Sequence, residues 1–443
     1  MMADKPNSWP RDFVWGVSTS SYQIEGAAQE DGRGPSIWDT RSHTPGKVEH
    51  GDTGDVACDH YHRYPEDIAL MRALGVGAYR FSLAWPRLLP QGTGAANEKG
   101  LDFYDRLIDA LLEAKIEPWL CLYHWDLPQA LQDRGGWTDR DSAGWFADYA
   151  ALAASRYGDR VRRWATFNEF SVFTLFGHAI DWGAPGITER TAHLRAIHHT
   201  NLAHGDGVRV LRESVPRALI GGIHNRQRIL PEKDTDADRQ AASLLDAHWN
   251  LAFTEPQLRG AYPDPLAAAL EPHVRPGDLA RIAARTDWLG LNHYGPIFAK
   301  ADAQAIWGYA WGEAPKDAPR TEIGWPIFPE MFEQELVELT QRYRLPIYVT
   351  ENGCGGDDKP DAGGAVDDPK RIRYLQNYIG AMRQALARGA DVRGYFVWSL
   401  LDNFEWGSGY GNRFGIVHVD FATQKRTPKT SFRWYADLVR GRR

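Results

Sequence analysis

The sequence predicts an α/β architecture: a single (β/α)8 TIM barrel whose long strand-to-helix loops form the mouth of an active site. Three observations carry that expectation. Eight apolar or β-branched runs recur along the 443 residues, helix-period patterns fall between most of them, and polar or aromatic motifs close the runs at their C-terminal ends. α/β barrels with long loops extend past about 400 residues as one unit, so residues 1–443 are expected to form one catalytic domain.

In chain order the strand runs are 13–17, 78–83, 118–123, 163–167, 219–223, 288–291, 347–350 and 394–398. Amphipathic helix patterns cover 98–114, 141–157, 193–213, 330–343 and 369–388. Long loops rich in Gly and Trp follow the first run (25–60), the sixth (299–329) and the eighth (401–427), and loops that carry aromatics are expected to wall a substrate site. The segment 355–364, dominated by Asp and Gly, reads as a mobile surface loop. Six motifs close strand runs: Tyr79-Arg80-Phe81-Ser82, Leu122-Tyr123-His124-Trp125, Asn168-Glu169, Asn292-His293-Tyr294, Glu351-Asn352 and Trp398-Ser399. In a barrel all six belong to one face, the catalytic one.

Composition narrows the chemistry. Hydrophobic content of 43% and charged content of 25% are those of a soluble globular protein. A net charge of −7 without a long basic run argues against nucleic acid. No apolar stretch of about 18 residues suggests a membrane span, and residues 1–10 do not resemble a leader, so a cytoplasmic protein is expected. Cys58, Cys121 and Cys354 lack paired spacing and read as free thiols. The 15 histidines show no metal-ligand spacing, and no Gly-rich phosphate cradle is present, so neither metal nor cofactor is expected. Self-association into a homo-oligomer is compatible with the sequence. Eighteen Trp and 18 Tyr exceed ordinary use, and such rings either fill a core or receive the apolar faces of a ligand.

Two carboxylates stand out. Thr166-Phe167-Asn168-Glu169 and Val349-Thr350-Glu351-Asn352-Gly353 each run from a β-rich segment to a glutamate beside an asparagine. A pair of carboxyl groups at strand ends suits glycoside hydrolysis, in which one protonates the leaving oxygen and the other attacks the anomeric carbon or activates water. Spacing alone fits inverting and retaining chemistry equally. Arg80, closing the second run, is placed to lower the pKa of Glu351 by charge proximity, and the Tyr294 hydroxyl to donate to it.

The chain also carries Phe13-Val14-Trp15-Gly16, Ser20-Ser21-Tyr22-Gln23-Ile24-Glu25-Gly26, Leu122-Tyr123-His124-Trp125-Asp126-Leu127-Pro128, Asp402-Asn403-Phe404-Glu405-Trp406 and Arg413-Phe414-Gly415. Together with the two glutamate strings, and in this order over nearly the whole chain, they resemble family 1 glycoside hydrolases, the retaining β-glucosidase and β-galactosidase group. The resemblance implies a small-molecule β-glycoside substrate and a part in the breakdown of cellulose and other polysaccharides. It also implies that Glu351 is the nucleophile and Glu169 the acid/base, about 5 to 5.5 Å apart. Asn168 matches the residue that bonds the sugar 2-hydroxyl. Gln23, His124, Glu405 and Trp406 resemble the glycone-binding groups, with Trp398 as the stacking floor and Trp325 as the aglycone platform. Trp125 and Phe414, within the matched strings, and Asn292, which closes the sixth strand run, complete the substrate-binding set.

Glu405 argues against 6-phosphorylated sugars, since a carboxylate at 4 Å repels a phosphate by about 1 to 4 kcal/mol depending on local dielectric. Gluco, galacto and fuco configurations all remain compatible, as does transfer of the glycosyl group to an alcohol. A non-catalytic sugar-binding barrel is disfavoured because Glu169, Glu351, Arg80 and Tyr294 are all retained. Departures from the family pattern are Phe170 where Pro is usual, Pro326 where Glu is usual and Met331 where Gly is common. With Phe173 and Phe176 they imply either an apolar aglycone cleft or ordinary core packing.

Overall fold

Eight parallel strands close on themselves in the computed structural model, which describes residues 9–441. They are β1 (Val14–Ser18), β2 (Ala78–Ser82), β3 (Glu117–Tyr123), β4 (Arg163–Asn168), β5 (Leu219–Asn225), β6 (Trp288–Asn292), β7 (Ile347–Asn352) and β8 (Val392–Trp398). Each pairs with its sequence neighbour, and β1 closes the ring on β8 with Ser18 opposite Trp398. All eight expected runs are barrel strands. Helices Glu98–Glu113, Ser142–Tyr157, Arg190–Ser214, Pro329–Tyr343 and Pro369–Ala387 occupy the five predicted patterns. Glu98–Glu113 shows why: Leu101, Tyr104, Leu107, Ile108 and Leu111 recur at helical spacing and all are buried.

The lower barrel is filled by rings. Trp119, Trp288, Tyr348 and Phe396 form one cluster, with Trp119 centred 4.7 Å from Tyr348, 5.0 Å from Phe396 and 5.4 Å from Trp288. Glycines on neighbouring strands make room for them: a Cβ on Gly16 would lie 2.3 Å from the Phe396 ring, and one on Gly221 2.4 Å from Trp288. Large and small residues thus alternate across the interior, as in packed barrel layers.

Three features lay beyond the strand and helix patterns. A nine-residue helix, Phe170–His178, starts immediately after Glu169. The loop after β6 is partly ordered into a small sheet, in which Ile297–Ala301 and Tyr309–Trp311 are joined by Ile229–Pro231 from the segment after β5, and the last loop contains the hairpin Val417–Asp420 with Lys425–Pro428. The segment 355–364, read as a mobile surface loop, is tied to the barrel: Asp358 is ion-paired with Arg371 and, at 2.6 Å, with Lys429. Among the described residues no helix is long and apolar enough to cross a membrane.

Candidate active site

β2, β4, β6 and β7 deliver a charged and amide cluster to the barrel mouth. Glu351, buried near the end of β7, accepts from the Arg80 guanidinium on one oxygen and from the Tyr294 hydroxyl at 2.7 Å on the other. Burial pushes its carboxyl above the ordinary range, while Arg80, Tyr294 and the neighbouring Asn292 amide pull it back down. Burial and the Glu351 charge hold the Tyr294 hydroxyl protonated, so it is a donor.

Glu169 sits in a different setting. Its backbone, at φ 53° and ψ 63°, occupies the left-handed region and forms the N-cap of the helix that follows. Glu169 and Phe170 are therefore not consecutive strand residues on opposite faces: the strand ends at Asn168 and the chain turns. Such a conformation in a non-glycine residue costs on the order of 1–3 kcal/mol and survives where surrounding structure imposes it. Here the Glu169 N–H donates to the Ile223 carbonyl at 2.9 Å, and its own carbonyl accepts from Val172 at 3.0 Å. The carboxyl accepts from the Asn225 amide at 2.9 Å and the Asn292 amide at 2.8 Å. Burial, reinforced by the Glu351 charge and only partly opposed by the two amides, pushes it up to about 8.

Both strands that lead to the glutamates depart from regular pairing near these motifs. The register of β4 against β5 shifts between Ala165 and Asn168, and that of β7 against β6 between Val349 and Glu351. Strict alternation would place Asn168 opposite Ala165 and Glu351 opposite Thr350 across the sheet. An irregularity re-aims the side chain that follows it.

The amides are oriented by a donor that cannot accept. Arg80 donates to Asn168 Oδ1 at 2.5 Å, and Asn292 adds a second donor there at 3.0 Å. Asn168 Nδ2 must then donate, and it does so to His124 Nε2 at 3.0 Å. His124, held neutral by burial and the Arg80 charge, consequently carries its proton on Nδ1, which is buried without a protein partner. A buried donor left open in this way is placed to meet a ligand hydroxyl. Asn292 is fixed in turn by Thr350, whose hydroxyl donates to its Oδ1 at 2.7 Å.

Comparison with known proteins places the chain in a family. The sequence model described as glycosyl hydrolase family 1 matches residues 5–443. The chain belongs to that family. It is 46% identical to β-glucosidase A of Thermotoga maritima, over 98% of both chains, and 44% identical to a 1,4-β-D-glucan glucohydrolase of Thermotoga neapolitana with the same coverage. A solved structure of a Thermotoga maritima β-glucosidase in complex with glucoimidazole superposes with a TM-score of 0.93 at 45% identity, covering 98% of each chain.

The remaining residues of this family 1 hydrolase take two positions. His124, Trp125, Tyr294, Trp325, Trp398, Glu405, Trp406 and Phe414 line one cleft of about 590 Å³ with Glu169 and Glu351. Trp406 lies against Trp125 with centroids 4.5 Å apart, and both residues have positive φ, 54° and 78°. Trp325, 42% exposed, leans on Tyr294 and Phe414. Arg80, Asn168, Asn292 and Gln23 stand behind the lining. Gln23 is fully buried, with its amide nitrogen directed to Asn403 at 3.0 Å, the Phe404 carbonyl at 2.9 Å and Glu405 at 3.3 Å.

The phenylalanines separate. Phe170 is fully buried and packs on Phe167, His224 and Phe253, so it belongs to the core, whereas Phe173 and Phe176 face the cleft. Trp311 lines the cleft as well, while Trp307 packs on His193 and His248. Sequence reading missed Asn225, Gln227, Trp38, Trp182 and Trp249, all in the lining. For Asn225 a signal existed: two positions beyond Ile223, it repeats that residue's inward face once β5 is allowed to run on.

Proposed function

We propose that this family 1 hydrolase is a retaining, exo-acting β-glucosidase in which Glu351 is the nucleophile and Glu169 the acid/base. The observation that carries the reading is the asymmetry of the two carboxyls. Burial acts on both, but only Glu351 has a guanidinium against it, so the shared proton resides on Glu169. A protonated Glu169 can give its proton to the leaving oxygen as ionised Glu351 attacks the anomeric carbon. Glycosylation removes the Glu351 charge, one cause of the raised Glu169 pKa. Glu169 then releases its proton more readily and serves as base toward water.

Retention is supported by the amide of Asn292, which bonds Glu169 and also acts on Glu351 as a hydrogen-bonding neighbour. Inverting enzymes hold their carboxyls about 6.5–9.5 Å apart to admit a water between them. A gluco substrate is supported by the names of the relatives. The inner walls formed by His124, Trp125, Trp398 and Trp406 suit the apolar faces and equatorial hydroxyls of a terminal sugar. Residues 1–443 act as one barrel domain in this reading, supported by the family match over 5–443. A reducing, cytoplasmic setting is supported by Cys58, Cys121 and Cys354, all buried free thiols.

The test is hydrolysis of 4-nitrophenyl β-glucoside followed by NMR of the first-formed anomer. β-Glucose appearing first supports retention, and α-glucose first overturns it. Faster turnover of the β-galactoside or the β-fucoside overturns the gluco assignment. Faster turnover of the 6-phospho-β-glucoside overturns the part given to Glu405.

A further inference from the structure

Large hydrophobic side chains exposed to water are few in this protein. Among the described residues they are Val56, Leu112, Trp182 and Trp325, and both tryptophans stand at the cleft that holds Glu169 and Glu351. Trp325 belongs to the wall beside Tyr294. Trp182 belongs to a different one. Its ring, 54% exposed, meets Phe176 edge-on at 5.3 Å and Trp311 at 5.0 Å, and Trp311 in turn meets Trp249 at 6.0 Å. An indole left half in water forgoes much of the burial that would stabilise the fold, and at the edge of a cleft it is available to a ligand.

The Trp182 wall is a built platform. The preceding residue, Asp181, accepts from Arg41 at 2.7 Å and from Lys47 at 2.6 Å, and a second Arg41 nitrogen reaches its carbonyl at 2.8 Å. The Trp182 and Gly183 N–H groups both donate to the Phe176 carbonyl, at 3.0 and 3.1 Å. The backbone under the exposed ring is thus held from two sides before any ligand arrives, which lowers the ordering cost of binding.

Position along the cleft sets which part of a ligand the wall meets. Glu169 caps the helix Phe170–His178, and Phe173 and Phe176 of that helix line the same cleft. From Glu169 to Phe176 is seven residues, about 10 Å of helix rise, and Trp182 packs on Phe176. With Glu169 buried and Trp182 half exposed on the same cleft, the wall stands on the solvent side of the two carboxyls, the side from which a leaving group extends. Its surroundings are amphipathic: Gln227, Glu313 and Arg320 line the cleft among the rings. A purely apolar aglycone would leave these polar groups facing hydrocarbon, whereas a sugar ring offers an apolar face to the indole and hydroxyls to its neighbours.

We infer that Trp182, backed by Phe176 and Trp311, forms an outer subsite that stacks the third residue of a β-linked gluco-oligosaccharide. The inference rests on the β-glucosidase reading and extends it to a substrate class, short oligosaccharides with at least two residues on the leaving side.

The experiment compares kcat/KM for cellotriose, cellobiose and 4-nitrophenyl β-glucoside in the wild type, Trp182→Ala and Trp182→Phe. Trp182→Ala is expected to lower the cellotriose value relative to the cellobiose value by about tenfold, mainly through KM, and Trp182→Phe to restore most of that ratio. A ratio unmoved by Trp182→Ala, or one that Trp182→Phe fails to restore, overturns the subsite. A selective loss on octyl β-glucoside with the oligosaccharide ratio intact overturns the sugar assignment. If the wild type fails to hydrolyse 4-nitrophenyl β-glucoside, the activity reading falls first. Intact turnover of that substrate isolates the subsite as the part in error.

Discussion

The floor and the mouth of this barrel are built on the same strands and solve opposite problems. β6 begins with Trp288, locked among Trp119 and Tyr348, and ends with Asn292, which bonds Asn168 and Glu169. β2 begins with Ala78 in the floor and two residues later presents Arg80 to Glu351. At the floor, burial is favourable in itself, because rings meet rings and glycines accept them. At the mouth, burial opposes the charges it encloses, and only mutual hydrogen bonding holds them. Within a few residues of one strand the interior therefore changes from stabilising the fold to tuning proton affinity. The positive φ at Trp125, Glu169 and Trp406 belongs to the same contrast, since all three lie on the mouth side.

The most severe break of that contrast is Glu351→Gln. It removes the proposed nucleophile and leaves Arg80 buried without its ion pair. Turnover of 4-nitrophenyl β-glucoside is expected to fall by roughly four or more orders of magnitude, with no glycosyl-enzyme adduct in the mass spectrum. Retention of a tenth of wild-type turnover would show that the mouth is not tuned around this carboxylate.

Glu169→Gln comes next. Alkyl glucosides, whose leaving groups need a proton, are expected to lose about 10²–10⁴ in kcat/KM, and 2,4-dinitrophenyl β-glucoside much less. Since Glu169 as the proposed acid must be protonated, and burial with the Glu351 charge raises its pKa to about 8, wild-type kcat/KM is expected to decline as pH rises through that region. The alkaline limb should be missing from the Glu169→Gln profile. A profile with the same limb would assign the proton elsewhere.

Trp288→Ala probes the floor. Emptying a buried indole site is expected to lower unfolding stability by about 3–5 kcal/mol, read by denaturant titration, while the pH–rate profile of the folded enzyme keeps its shape. A displaced profile at temperatures well below unfolding would mean that floor and mouth are coupled, and the separation drawn between them would fail.

The smallest effect is a linkage between protonation and stability. Glu169 has a higher pKa folded than unfolded, so the folded state holds its proton after the unfolded chain has lost it. The associated stability is present at acid pH and is lost as pH rises from the ordinary carboxyl range through about 8. Glu169→Gln does not titrate, so its Tm relative to wild type should improve by a few degrees between pH 5 and pH 9. A constant difference across that range would place the Glu169 pKa near that of a solvated carboxyl.

The barrel was legible because its code is local. Each strand run is a short apolar segment and each helix a periodic one, and local preference and burial agree at those positions. The strand-end placement of Arg80, Asn168, Asn292 and Glu351 followed from the same pattern. Asn225 escaped notice because its strand was ended early at Ile223. Trp182 and Trp249 escaped because a tryptophan in a loop or irregular helix carries no periodic signal of the face it turns to.

By itself, then, the sequence determined the eightfold alternation, the face on which the chemistry gathers, the two glutamates and, by resemblance, their family. Only the tertiary structure showed what surrounds each carboxyl, Arg80 lying against Glu351 and two amides against Glu169, contacts between residues far apart in the chain. It also decided the turn at Glu169, which strand alternation does not contain, and the separation of Phe170 in the core from Phe176 in the cleft. The physical reason is range. Hydrophobic periodicity acts between near neighbours, whereas desolvation and charge act through space and exist only after the strands have closed.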